Sequence, residues 1–228
     1  MRREQWHDRL ALGHWFNTLP AALQERLLAC AIPRRLGAGQ TLFCRGDPPC
    51  GLYAVLEGAV RVGAVNQAGK EALLTLVEPP NWFGEIALFD GQPRTHDASA
   101  EGPSLLLQLP QAALLTLLQA QPQYWRELAL LMSQKLRMAF IALEDLSLLP
   151  AAPRLARRLL LIAHNYGEQR GPRRTIPLAQ EQLAALVGLS RQTTNQILRD
   201  LEDRGILHLG YGEIELLDID RLAEATRG

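Results

Sequence analysis

Between Trp82 and Thr95 the run Trp-Phe-Gly-Glu-Ile-Ala-Leu-Phe-Asp-Gly-Gln-Pro-Arg-Thr gathers a glycine, a carboxylate, a guanidinium and a hydroxyl into one short segment. Gly84 lets backbone N–H groups approach an anion closely, and a short helix beginning there points its positive end at the same spot. Arg94 can form a charge-assisted pair with a phosphate. Thr95 adds a hydroxyl donor, and the Glu85 carboxylate is suited to accept a hydrogen bond from a ribose 2′-OH. Phosphate donors beside a hydroxyl acceptor make a nucleotide-shaped constellation. The same residues also allow a plainer arrangement, in which Arg94 and Glu85 pair with each other.

A second group of residues has the chemistry for reading DNA bases. In Gln180–Arg199 a small Ala184 stands where two helices must approach closely, and Gly188 follows four residues later with the freedom to adopt positive φ in a tight turn. Ser190 is placed to cap a second helix. Leu183, Val187, Leu189, Ile197 and Leu198 supply a core between the two helices. This is the helix-turn-helix pattern. Arg191, Gln192, Asn195 and Gln196 are expected on the exposed face near the start of the second helix, with Ser190 and Thr193 beside them. Arg suits guanine, and Gln or Asn suits adenine, across the major groove. The plainer alternative is an ordinary helical pair with polar solvent faces.

Both groups need elements to position them. The first 35 residues are helical in pattern, with Trp15, Phe16, Leu19, Leu23, Leu27 and Leu28 roughly on one face and Pro20 breaking the run. From Leu36 to Leu109 short apolar stretches (41–43, 52–56, 59–62, 72–77 and 104–109) alternate with turns at Gly46, Gly51, Gly58, Gly69, Gly91 and Gly102. That grammar predicts an antiparallel barrel or jelly roll. The stretch Gln123–Leu149 lacks glycine and proline and ends at Pro150 and Pro153. It predicts one helix of roughly 40 Å at ~1.5 Å per residue. Along it Leu128, Met132, Leu136, Ala139, Leu143 and Leu146 follow heptad-like steps, which suggests a two-stranded coiled coil between two copies of the chain. The alternative is a helix packed on its own barrel. A helix over Arg154–His164, a polar turn over Gly167–Thr175 and a terminal hairpin, the wing, over Gly205–Leu217 complete the chain.

Composition narrows the function classes. The chain has 228 residues, 47% hydrophobic and 21% charged, in the ordinary range for a soluble globular protein. No apolar run reaches the ~18 residues of a membrane span, and the first residues lack the apolar core of a signal peptide, so a cytoplasmic location and no membrane partner are expected. Cys30, Cys44 and Cys50 are too few for a disulfide framework, although Cys44 and Cys50 could meet across a turn. His14, His96, His164 and His208 show neither a nucleophile pattern nor His-x-x-x-His spacing, so no catalysis and no metal are expected. Net charge is zero, but residues 151–199 hold eight arginines and two acids, while residues 200–228 hold three arginines and eight acids. A phosphate backbone feels the local field of the first segment rather than the sum.

From about residue 15 to 220, the order of these parts resembles the cyclic-AMP receptor protein/FNR superfamily of bacterial regulators. Phe83-Gly84-Glu85-Ile86-Ala87-Leu88 with Pro93-Arg94-Thr95 is similar to that family's phosphate-binding cassette, and Gly188–Gln196 to the start of its recognition helix. The resemblance implies an α+β fold: a cyclic-nucleotide-binding β jelly roll with N-terminal helices (1–122), a dimerisation helix (123–149) and a winged helix-turn-helix (150–228). It implies that Arg94 and Thr95 hold a cyclic phosphate, that Glu85 holds the ribose, and that Gly84 and Ala87 lend backbone amides, with Ile86 between them also in the ligand site. The expected effector is cyclic AMP, or else cyclic GMP. The expected partners are a second copy of the chain, a pseudo-palindromic duplex DNA and RNA polymerase.

The chain departs from the family at three places. Adjacent Thr and Ser that bind adenine in the cyclic-AMP receptor correspond to Ala139 and Phe140, and Phe140 could stack on a base instead. A pocket-closing arginine corresponds to Lys135. The recognition helix carries Gln192 and Gln196 where the family has Glu and a second Arg, so a different DNA sequence is expected, with Arg191 the most transferable contact. These departures leave open the same regulator class with another signal (cyclic di-GMP, heme, redox or none) and a nucleotide-binding signalling module without DNA activity. His96 and Asp97 are assigned to the barrel or the rim of the pocket.

Overall fold

The computed structural model describes residues 3–65, 71–167, 172 and 174–227. The turn at Gly69 and most of the polar segment 167–175, with Arg170 and Arg173, lie outside the described residues. The chain forms two compact units, Met1–Leu136 and Arg137–Gly228.

The first unit opens with α1 (Arg3–Leu10), α2 (His14–Thr18) and α3 (Ala21–Cys30). Strand β1 (Ile32–Leu36) follows, so the helical pattern expected through residue 35 stops at Cys30. Pro33, Arg34 and Arg35 hide this strand from a hydrophobicity pattern. It tolerates them because it lies at the edge of its sheet with all but Leu36 exposed. Next come β2 (Thr41–Phe43), β3 (Gly51–Glu57), β4 (Val60–Val65), β5 (Glu71–Val77), β6 (Trp82–Phe83), α4 (Ile86–Asp90), β7 (Asp97–Ala100) and β8 (Ser104–Pro110). They build two four-stranded antiparallel sheets, β1-β8-β3-β6 and β2-β7-β4-β5, as the jelly-roll expectation requires.

Strand β3 is buried along almost its whole length because both its faces are covered. Tyr53 and Val55 point into a core with Phe43, Val60, Phe83 and Leu106. Leu52, Ala54 and Leu56 point the other way, into a second core with Leu107, Leu109 and the helices. Strand period two therefore puts alternate residues into two different cores. Helix α5 (Gln111–Ala120) and the start of α6 (Trp125–Leu148) close the second core with Leu114, Leu118, Leu128 and Leu131.

This burial corrects the expected coiled-coil seam. Leu128 is completely buried in the unit's own core and is unavailable to a partner chain, as the alternative of packing on the barrel required. The exposed apolar stripe begins two turns later and runs through Leu136, Phe140, Leu143 and Leu146.

The second unit takes the rest of α6 and then α7 (Ala151–Ala163), β9 (Thr175–Ile176), α8 (Gln180–Val187), α9 (Arg191–Asp203), β10 (Leu207–Leu209), β11 (Ile214–Leu216) and α10 (Ile219–Glu224). Pro153 lies in the first turn of α7, where a missing N–H costs nothing. Strands β10 and β11 pair as the expected wing, and β9 adds a third strand on β11. Among the described residues no helix is long and apolar enough to cross a membrane.

Candidate functional site

Arg94 decides what the cassette can do. Its side chain is buried, with Nη1 donating to Gly84 O at 2.8 Å and Nη2 donating to Gly51 O at 2.5 Å and Cys50 Sγ at 3.1 Å. The guanidinium lies over the Phe43 ring, 4.4 Å from its centroid. Nε is buried without a partner, and among the described residues no carboxylate pairs with Arg94. A buried guanidinium held by carbonyls, a thiol and a ring, with Nε–H still free, is suited to pair with an anion. The anticipated alternative of an Arg94–Glu85 pair is overturned, because Glu85 is bound elsewhere.

Glu85 is itself buried and meets Lys135 of α6, whose Nζ donates to Oε2 at 2.7 Å. The cassette carboxylate is thus tied to the long helix. Gly84 joins the two groups. Its φ is +93°, and a Cβ there would stand 2.9 Å from Arg94 Nη1 and 3.0 Å from Gly51 O. Only a glycine lets the backbone and the guanidinium come this close. Ala87 is buried and Ile86 is exposed on α4. With five residues, α4 is too short for its dipole to matter much beside a full positive charge.

Thr95 is exposed, with its Oγ1 2.9 Å from His96 Nδ1. Burial and the nearby Arg45 lower the His96 pKa, while Asp97 opposes them. Asp97 also accepts the Arg45 backbone N–H at 2.7 Å, and the Arg94 backbone exchanges hydrogen bonds with Gly46 and Asp47. Asp97 thus secures the loop that backs the arginine. Cys44 and Cys50 are free thiols. Burial and Cys50 raise the Tyr53 phenol well above its ordinary range. Ala139 and Phe140 lie in the second unit, exposed on α6. The supports of Arg94 (Phe43, Cys50 and Gly51) come more than forty positions earlier, and no local spacing in the sequence links them to it.

The DNA-reading element forms as the spacing predicts. Gly188 ends α8 in the left-handed conformation, with its N–H bonded to Ala184 O and Ala185 O. Ser190 caps α9, its Oγ accepting the Thr193 N–H at 3.1 Å. Arg191, Gln192, Thr193 and Gln196 are exposed on the first turns of α9. Asn195 differs from expectation: it is half-buried, and its Oδ1 is enclosed without a partner. Glu202 accepts the Leu209 N–H at 2.8 Å and lies 3.1 Å from His208 Nδ1, which fastens the end of α9 to the wing.

The family model described as a cyclic nucleotide-binding domain matches residues 33–121, and a Crp-like helix-turn-helix domain matches residues 153–225. Over 209 residues the chain is 34% identical to a CRP-like cAMP-activated global transcriptional regulator of Mycobacterium tuberculosis, covering 91% of this chain and 92% of that one. It is 33% identical to a cyclic AMP receptor protein of Thermus thermophilus, covering 83% and 86%. Among solved structures, a CRP/FNR-family transcriptional regulator from Thermus thermophilus superposes with a TM-score of 0.68 at 32% identity, covering 86% of this chain and 99% of that one. FixK2 from Bradyrhizobium japonicum shares the fold with a TM-score of 0.77 at 21% identity, covering 87% and 98%.

Proposed function

Because the chain belongs to the cyclic-AMP receptor protein/FNR superfamily of transcription regulators, we propose that it acts as a homodimer whose DNA affinity is set by a cyclic mononucleotide bound in the barrel. The observation that carries this reading is Arg94: a buried guanidinium with no carboxylate partner among the described residues, an unsatisfied Nε and a glycine at its side. A cyclic phosphate supplies the missing charge. Glu85 accepts the ribose 2′-OH, and Thr95 donates its hydroxyl to the phosphate. A hydroxyl arriving at Glu85 acts on the carboxylate that also holds Lys135 of α6.

Cyclic AMP is the proposed effector and cyclic GMP the second candidate. The names of the Mycobacterium tuberculosis and Thermus thermophilus relatives support the first. In this reading residues 1–122 hold the effector, 123–149 dimerise through the stripe beyond Met132, and 150–228 bind DNA. Arg191, Gln192 and Gln196 read bases, while Ser190 and Thr193 fix the helix start. Asn195, with its oxygen enclosed, contributes less. The protein works in the cytoplasm by binding rather than catalysis, on a pseudo-palindromic duplex and with RNA polymerase as a partner.

Calorimetric titration with cyclic AMP, cyclic GMP and cyclic di-GMP tests the effector. Micromolar or tighter binding of one mononucleotide is expected. Binding of cyclic di-GMP alone, or of none, refutes the mononucleotide reading.

A further inference from the structure

The basic count of residues 151–199 includes Arg154, Arg157 and Arg158, but these three do not simply face outward. All are half-buried on α7. Arg158 donates to Leu186 O of α8 at 3.2 Å, and Arg154 Nε is buried without a partner. Arg157 Nη1 lies 3.0 Å from Oδ1 of Asp145, a carboxylate in the last turns of α6 that is only 5% exposed. That oxygen gains the charge contact without hydrogen-bond geometry. Leu146, the next residue, lies 3.7 Å from where a Cβ on Gly188 would stand. The end of α6 therefore touches both α7 and the turn of the helix-turn-helix.

The energetics of Asp145 are poor for a purely structural residue. Burial raises its pKa, opposed by Arg157 and Arg158, reinforced by Glu144 on its own helix and opposed again by Arg154. A buried ion pair recovers little of its desolvation cost, and an apolar pair of similar volume often gives equal or greater stability. What a carboxylate among guanidinium groups provides is direction. A buried charge parted from its partner is strongly disfavoured, so the arrangement that keeps Asp145 against Arg157 is favoured over neighbouring ones.

We propose that Asp145 is a positioning residue for DNA recognition: its ion pair with Arg157 of α7 fixes the angle at which the helix-turn-helix departs from α6. This rests on the two-half-site reading above. A dimer gains affinity from a second half-site only when both recognition helices meet the groove at the right separation.

The test uses the full-length homodimer and a duplex that the wild-type protein selects from a random-sequence pool. Fluorescence anisotropy compares the selected palindrome with a single half-site cut from it. Wild type is expected to prefer the palindrome by about 100-fold or more. Asp145→Asn, nearly isosteric but uncharged, is expected to lose about tenfold or more of that ratio, with half-site affinity within about twofold and no fall in melting temperature. Arg157→Gln is expected to act in the same direction, and Arg157→Lys to keep part of the ratio, so the result does not depend on one variant folding. An unchanged ratio in both Asp145→Asn and Arg157→Gln overturns the proposal. Equal loss on both duplexes together with a lower melting temperature also overturns it, because that outcome marks a folding role. A wild-type protein with no preference for the palindrome refutes the two-half-site reading itself, and the positioning role with it.

Discussion

Replacing Arg94 with alanine tests the cassette through its donors. A guanidinium has five N–H groups. In the structure three are engaged by Gly84 O, Gly51 O and Cys50 Sγ, which leaves Nε–H and one Nη1–H for a ligand. Charge-assisted hydrogen bonds contribute about 1.5 to 3 kcal/mol each, so two of them represent about 3 to 6 kcal/mol. At about 1.4 kcal/mol per decade this is a loss of roughly 10²- to 10⁴-fold in affinity for cyclic AMP. The variant also strands the Gly51 and Gly84 carbonyls and removes the cation from the Phe43 ring. Stability should fall by about 1 to 3 kcal/mol as well, a few degrees of melting temperature per kcal/mol. Calorimetry is therefore run well below the variant's own melting temperature. Arg94→Lys, which keeps the charge but not the planar fork, should fall between the two. Binding of cyclic AMP by Arg94→Ala within about twofold of wild type would refute the reasoning.

Leu143→Asp puts a charge in the middle of the exposed α6 stripe and should convert the dimer to monomer in sedimentation equilibrium; a variant that stays dimeric places the interface elsewhere. Gly84→Ala forces a Cβ into a positive-φ site 2.9 Å from Arg94 Nη1 and should cost about 1 to 3 kcal/mol of stability, read by thermal melting. The raised Asp145 pKa means that the folded unit binds more protons than the unfolded chain between the usual carboxylate range and the raised value, so this group's stability is present at low pH and lost as pH rises through that value. Asp145→Asn should accordingly melt at or above wild type near pH 7, and its advantage should shrink toward about pH 4; an advantage that grows on acidification contradicts a raised Asp145 pKa.

The features legible in the sequence are those carried by local spacing. Ala184, Gly188 and Ser190 lie within seven residues, and each position has a requirement that few residues meet, so the helix-turn-helix forms where expected. Arg94 and Glu85 were recognisable as residue types, but their partners were not. Arg94 is held by Phe43, Cys50 and Gly51, and Glu85 by Lys135, and such long-range pairings follow from sheet register and helix placement rather than spacing. Periodicity placed Leu128 on the correct face of α6 but could not say what covers that face, and the barrel takes it before a second chain can. Strand β1 is hidden because Pro33-Arg34-Arg35 lacks apolar alternation, and β7 because the two residues that alternate inward, Ala98 and Ala100, are too small to mark a strand. The charge count treated Arg157 and Arg158 as surface, whereas their partners are Asp145 and Leu186 O.

The most direct test of the central claim is the affinity of the full-length protein for its selected duplex, measured by fluorescence anisotropy at fixed salt with and without saturating cyclic AMP. Effector and DNA sites that share one two-state dimer are coupled by about 1 to 3 kcal/mol, so the nucleotide should change DNA affinity by roughly 5- to 150-fold. Identical affinities with and without cyclic AMP, in a protein shown by calorimetry to bind the nucleotide, would contradict the account.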